Sequence, residues 1–393
     1  MQRRSFLKGL GVVSVLVAGG TVWRAYDRGA FSAGEGPAFE PWKDWRDATS
    51  GPLAMVQAAI LAANPHNTQP WLFKISDTSI ELHADTERNA GALDPYMREQ
   101  YIGLGCALEN LMLAAAAHGY AAEASLFAGK LSPLAASPKT PLVARVDLAP
   151  GPKQASELYD AIPRRHTNRN PYYLKTVPAD FVDGLNQLTK DEPDIKLFLF
   201  TADADRGRIV DMIANADHVV YADPQVEQGS APWIRENWGD IQKFRDGIIV
   251  DEFGDPPLTA AARKFLPSPM MKFATRHKWL DSPSYTEILK ATPLFGLIAL
   301  RDRYDGEQNL RAGRLWQRAH LLATVHGLAG RPVNEAVELI DNQRLHNQPP
   351  QAEAALAALT GDPGWQPTFM FRFGYPVRDV LPSPRRPAKD VLI

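Results

Sequence analysis

The 393-residue chain has one cysteine, Cys106. A single cysteine excludes an intramolecular disulfide and every all-thiolate metal site. An excess of charge is also lacking. Lys plus Arg total 43 against 45 Asp plus Glu, a net of −2. A protein built mainly to bind nucleic acid usually carries a basic excess, so that class is disfavoured. Long apolar runs are scarce: only Gly9 to Trp23, 15 residues without a charge, comes near spanning length, which excludes a helical membrane bundle. Several signatures are missing. No G-x-G-x-x-G opens a helix after a strand, and Gly103-Leu104-Gly105 lacks the third glycine. There is no Walker loop, G-x-S-x-G, H-E-x-x-H or C-x-x-C. His320 and His326 are six apart and fall on different helix faces, a poor metal pair. No metal site is expected.

What is present begins with an address. Arg3-Arg4-Ser5-Phe6-Leu7-Lys8 precedes the apolar run and resembles a twin-arginine signal, covering about residues 1–33. That route exports folded proteins, often with cofactor bound. It implies the export machinery as a partner and a periplasmic or periplasm-facing, membrane-anchored location. Residues 34–50, rich in Gly, Pro and Trp, read as a linker.

With 45% hydrophobic and 22% charged residues, the remainder is globular and long enough for two or three domains. Helices are expected over Leu53 to Ala63, Tyr101 to His118, Asp205 to Ala222 and Asn309 to His326, with glycines closing the second and fourth. Strands are expected over Trp71 to Ile75, Ile80 to Ala84, Leu142 to Leu148, Lys196 to Phe200, Leu294 to Arg301 and Thr368 to Phe373. Residues 223–290, mixing Pro, Gly, Trp and charge, read as an insertion or lid. Cys106 to Tyr120 aligns with Arg314 to Leu328 at an offset of 208, with Leu113/Leu321, Ala115/Ala323, His118/His326 and Gly119/Gly327 identical. This echo points to two α+β halves, 51–155 and 156–393.

Three segments carry chemistry. Asn64-Pro65-His66-Asn67-Thr68-Gln69-Pro70-Trp71 joins a helix to a strand; it is either ordinary turn chemistry or a donor–acceptor loop for a planar heterocycle. Arg164-Arg165-His166-Thr167-Asn168-Arg169 is either a solvated basic turn or a phosphate site. Ser383-Pro384-Arg385-Arg386-Pro387 is a basic tail or a further phosphate contact.

Together these segments resemble the nitroreductase family of FMN flavoproteins, in which an Asn-x-Gln-Pro-Trp segment follows the first helix and an arginine segment grips the cofactor. Here the arginine segment comes second, by about a hundred residues. That order resembles the Acg-type branch, with two nitroreductase-like halves fused into a monomer with an internal pseudo-dimer. The resemblance implies an α+β nitroreductase-like fold and one FMN per chain. Arg165, His166, Thr167 and Arg169 would lie along its phosphate and ribityl chain, with Arg385, or its neighbour Arg386, completing the phosphate site. Asn67 and Gln69 would reach it from the other half. Pro332-Val333-Asn334 would run under the isoalloxazine, a backbone N–H near N5. Trp233, Trp238 and Trp279 could roof the ring or simply pack. No protein side chain is assigned an acid–base role. The implied activity is reduction of a small nitro- or quinone-like acceptor, with NAD(P)H as a donor. The alternative is a protein that sequesters FMN without turnover beneath a sealing lid.

Overall fold

The computed structural model describes residues 20, 22–48, 50–265 and 283–393. The twin-arginine segment, the Leu266–Met271 cluster and Trp279 lie outside them. Two antiparallel sheets flank a pair of long buried helices. The first sheet holds β1 (Trp71–Ile75), β2 (Ser79–Ala84), β3 (Tyr120–Leu126) and β4 (Leu142–Pro150), in the order β1-β2-β4-β3. The second holds β5 (Ile195–Phe200), β6 (Leu294–Leu300), β7 (Ala329–Pro332) and β8 (Gln366–Pro376), in the order β5-β6-β8-β7. Tyr172 and Tyr173 pair with the end of β8.

The helices are α1 (Pro52–Ala59), α2 (Arg98–His118), α3 (Asp203–Ala222), α4 (Gly306–Val325) and α5 (Glu335–Leu345), with shorter ones between. The α+β class expected from the sequence is the class observed. The β1–β2 hairpin turns as its serines dictate: the Ser76 hydroxyl accepts the Ser79 N–H at 3.0 Å. Gly119 closes α2 at φ 86, a left-handed cap that costs glycine little.

In each sheet an antiparallel pair, joined by a tight turn in the first and by residues 201–293 in the second, is followed by the long helix, then by the edge strand, then by the strand that pairs between them. The helices α2 and α4 meet backbone to backbone. A Cβ on Gly105 would stand 2.0 Å from the Leu310 carbonyl oxygen and 3.0 Å from the Gly313 Cα. A Cβ on Gly313 would stand 2.0 Å from the Ile102 oxygen and 2.9 Å from the Gly105 Cα. Both glycines, and both carbonyls, are separated by the same 208 residues as the sequence echo.

Two segments carry more structure than their composition suggests. Residues 34–50 are not a loose linker: Phe39 and Trp42 are buried, and the Trp42 indole donates to the Ser383 carbonyl at 2.7 Å. Residues 223–290 contain ordered short helices, and Ile241 and Ile249 form a small core with Ala38 and Phe39.

Gly105→Ala should lower stability by about 3 kcal/mol or more, because main chain on the facing helix cannot yield as a side chain can. Gly129→Ala, where a Cβ would meet nothing within 4 Å, should change little. Denaturant unfolding of both variants is the test; equal, small losses would show that the helices can part.

Candidate functional site

The loop after α1 is wound tightly. His66, Asn67 and Gln69 take φ values of 48, 54 and 52. Left-handed backbone at three non-glycine positions is costly and persists where contacts over-determine it. The contacts are to the C-terminal segment. The Asn67 amide donates to the carbonyls of Gly247 (3.0 Å) and Pro384 (2.8 Å) and accepts from the Arg385 guanidinium. The Gln69 amide donates to the Arg245 carbonyl at 2.8 Å and accepts the Arg386 N–H at 2.8 Å. Arg386 itself donates to the Gln69 and Trp71 carbonyls. Asn67, Gln69 and Arg386 therefore clamp the chain terminus, and none of the three lines the cavity described below. The loop residue that does is His66. Burial, then the charge of Arg169, lowers its pKa to about 4.

The arginine segment lies along the edge of the second sheet, where Thr167 bridges to Gly330 and the Asn168 N–H donates to the Gly330 carbonyl at 3.1 Å. This backbone pairing draws Arg165 inward. The Arg165 guanidinium donates to the Leu61 carbonyl at 3.2 Å and lies 3.4 Å from His320 Nδ1. Arg385 donates to the carbonyls of Pro384 (3.0 Å) and Ala62 (3.3 Å), and stacks on Trp42. His166 packs edge-on against the same indole at 4.6 Å.

Among the described residues, Arg165 Nε, Arg385 Nε, His166 Nδ1 and His320 Nε2 are buried without a hydrogen-bond partner. Burial pushes Arg165 down to about 10 and, with Arg165's charge, Arg385 down to about 9. His166 is held at about 3 by burial and by both guanidiniums. Arg169 lies 3.8 Å from Glu252, the carboxylate that also favours the charge on Arg385. Three guanidiniums thus face one carboxylate. The cluster lacks about two negative charges and several acceptors, which a phosphate dianion would supply.

Of the cluster only Arg169 lines a cavity of about 550 Å³, within the range that holds cofactors and drug-sized ligands; Arg165, His166 and Arg385 do not line it. Thr167 and Arg169 reach it from the arginine segment, Ile102, Gly103 and Cys106 from α2, and Trp316 from α4. Cys106 donates to the Gly313 carbonyl at 3.3 Å, and burial raises its thiol pKa, so it is no nucleophile. Pro332 and Asn334 also line the wall. Val333 does not: it is fully buried, and its N–H donates to the Met370 carbonyl at 2.9 Å. That N–H is consumed by the sheet rather than offered to a ligand. Of the expected roof, the two described tryptophans do not take part. Trp233 donates to the Asn89 carbonyl, Trp238 packs on Gly29, and neither lines the cavity. Segment 223–290 contributes Ile234, Val250 and Phe253 instead.

The sequence reading passed over a further part of the lining, formed by Glu99, Arg331, Glu335 and Glu338. The signal available was the Glu335-x-x-Glu338 spacing directly after Pro332-Val333-Asn334, which sets two carboxylates on one helix face.

No family model matches the chain. Rv3131 of Mycobacterium tuberculosis, which carries the provisional name NAD(P)H nitroreductase, is 28% identical over 85% of this chain and 87% of its own. Acg of the same organism, with the same provisional name, is 26% identical over 86% and 93%. Solved structures align more loosely. The FMN-dependent nitroreductase NfnB from Mycobacterium smegmatis, in complex with NADPH, gives a TM-score of 0.32 at 14% identity, covering 56% of this chain and 88% of that one. A Desulfovibrio desulfuricans protein solved with FMN and named provisionally as a nitroreductase gives 0.34 at 17%, covering 61% and 97%.

The buried histidines set a pH dependence. His66 and His166 have folded pKa values below the unfolded 6.5, so the unfolded chain binds protons that the folded chain refuses. Stability must therefore fall as pH drops below about 6.5. His166→Gln should shrink that loss by about 1 to 2 kcal/mol at pH 5. Unfolding titrations at pH 7.5 and pH 5 check this; parallel losses in both proteins would contradict it.

Proposed function

We propose that the chain binds one FMN and uses it to reduce a small electrophilic acceptor, nitro- or quinone-like, with NAD(P)H as electron donor. The observation that carries this reading is the pair of buried, unpartnered cationic N–H groups, Arg165 Nε and Arg385 Nε, with neutral His166 between them, in a cluster whose third guanidinium, Arg169, lines a cavity of cofactor size. The donor set fits a phosphate. The adjoining Thr167 hydroxyl and Arg169 fit a polyol chain, and the flat faces of Trp316 and Phe369 fit a ring system. The similarity to mycobacterial proteins named for NAD(P)H nitroreductase supports the same reading. FMN, when bound, accepts and delivers hydride or single electrons. The chain's part is to anchor the anionic end with Arg165 and Arg385, to keep the far end dry with apolar wall residues, and to hold His66 and His166 neutral.

We further propose that residues 51–155 and 156–393 are copies of one unit, fused so that a monomer contains what a homodimer would assemble. The equal strand orders and the reciprocal Gly105–Gly313 crossing support this. The Arg3-Arg4 signal supports export by the twin-arginine route to the periplasm, as a released or anchored protein. A second reading, an FMN-sequestering protein without turnover, is favoured by the wall that segment 223–290 contributes to the cavity.

Protein purified without added flavin should be yellow. Arg165→Ala and Arg385→Ala should each lose most of that flavin while keeping a cooperative melt; full retention in both would overturn the site. Anaerobic bleaching by NADPH or dithionite, followed by reoxidation with a nitroaromatic or quinone, separates enzyme from store. Bleached flavin that no acceptor reoxidises would leave only the second reading.

A further inference from the structure

Thr167 and Arg169 bring the arginine segment to the cavity, and the acidic residues that form another part of its wall have no role in binding a phosphate. Glu338 lines that wall, is only 7% exposed, and its Oε2 finds no hydrogen-bond partner among the described residues. Glu335, one turn earlier on α5, is in a similar position. Its Oε1 accepts from the Tyr285 hydroxyl at 2.6 Å and lies 3.8 Å from Arg331, while its Oε2 is unpartnered among the described residues. Glu99 reaches the same wall from α2, accepting from the Asn334 amide at 2.9 Å.

The charges facing Glu338 come from three elements: Glu99 and Arg98 on α2, Glu335 on its own helix, and Asp217 on α3. Arg331, which lines the same wall, lies 3.8 Å from Glu335 and donates to the Tyr285 hydroxyl at 3.1 Å, and Arg98 is engaged as well. Arg98 donates to Asp341 at 2.9 Å and to the Thr368 carbonyl, and lies 3.3 Å from Glu99. Asp341 in turn also takes Arg303 at 3.1 Å and the Tyr304 hydroxyl at 2.7 Å. Glu338 is therefore a buried carboxylate without a cation of its own, an arrangement that costs stability unless something else supplies the partner. Burial and mutual repulsion raise the group: Glu99 to about 7, Asp217 to about 8, and Glu338 well above its ordinary value.

The chemistry of that partner can be narrowed. Among the described residues no group of three His, Cys, Asp or Glu could hold a metal ion. The unsatisfied atoms are oxygens in need of N–H donors. Beside Glu338 and Glu335 the cavity is lined by the aromatic side chain of Tyr221, which the flavin reading does not use. A protonated amine or amidinium on a flat ring satisfies both, through charge-assisted hydrogen bonds and ring contacts.

We propose that this wall binds the positively charged nitrogen of an aromatic amine or amidine, Glu338 Oε2 accepting its N–H with Glu335 alongside, so that the cavity selects cationic aromatic ligands over neutral or anionic ones of equal size. As a statement about the acceptor it rests on the flavin reading above; as a statement about binding it does not.

The test uses three matched fluorescent probes on the full chain as purified: 1-naphthylmethylamine, 1-naphthalenemethanol and 1-naphthoate. The amine should bind at least tenfold more tightly than the alcohol, and the carboxylate more weakly than either. Glu338→Gln should bring amine and alcohol within about twofold, whereas Glu338→Asp, which keeps the charge, should retain most of the preference. Equal binding of amine and alcohol to the wild type, or an unchanged preference in Glu338→Gln, would overturn the proposal. Should Glu338→Gln fail to fold, Glu335→Gln must show the same loss of preference, and its absence overturns the proposal equally. Flavin content is read from absorbance in the same samples. Colourless protein with an intact amine preference sinks the flavin reading alone, and yellow protein without the preference sinks this one alone.

Discussion

The contact between Gly105 and Gly313 is the constraint on which the rest of the structure depends. Two long helices approach until each backbone touches the other, and neither glycine has room for a single added carbon. The close approach brings the two sheets to either side of one shared core, which runs from Val56 and Leu108 through Trp316 to Phe373. It also fixes the position of the cavity. Ile102, Gly103 and Cys106 on one helix and Trp316 on the other line it, so its floor is the helix pair itself. A side chain at the crossing would push the helices apart and open the floor along with the core.

On that rigid floor the molecule holds two opposite charge surpluses. Arg165, Arg169 and Arg385 outnumber Glu252 in one cluster, while Glu99, Glu335 and Glu338 outnumber Arg98 and Arg331 in the other. Low-dielectric surroundings strengthen the field between them, and each surplus is expensive to bury alone. Unpartnered atoms at both ends, Arg165 Nε and Arg385 Nε against Glu335 Oε2 and Glu338 Oε2, mark where a ligand offsets the cost. The folded chain alone leaves a polar arrangement half satisfied, which is the usual signature of a binding site rather than of a core.

Much of the framework was legible. The hairpin over Ser76 to Ser79, the helix closed by Gly119 and the all-apolar strand Leu294–Leu300 follow from period, cap and composition. Others escaped for identifiable reasons. Tyr120–Leu126 is an edge strand with no fully buried residue, so its pattern carries little contrast. Helix α5 buries Glu335, Glu338, Asp341 and Asn342, which inverts the polarity by which an amphipathic helix is recognised. The same inversion hid the acidic wall. Asn67 and Gln69 were read as donors and acceptors reaching a cofactor, but local sequence could not say that the C-terminal segment, more than three hundred residues away, would be their partner.

The sequence by itself determined the α+β class, the long buried helices, the 208-residue echo between them, and the arginine and C-terminal basic segments as the places where an anion could be held. Each follows from periodicity, glycine placement or residue chemistry, which act over a few neighbours. Only the tertiary structure decided which donors remain unsatisfied. Arg165 and Arg385 meet because a sheet edge and a clamped terminus deliver them to one buried spot, and Val333 is lost to the site because a neighbouring strand takes its N–H. Partner choice is a property of distance in space, and burial makes that choice binding by removing water as the alternative.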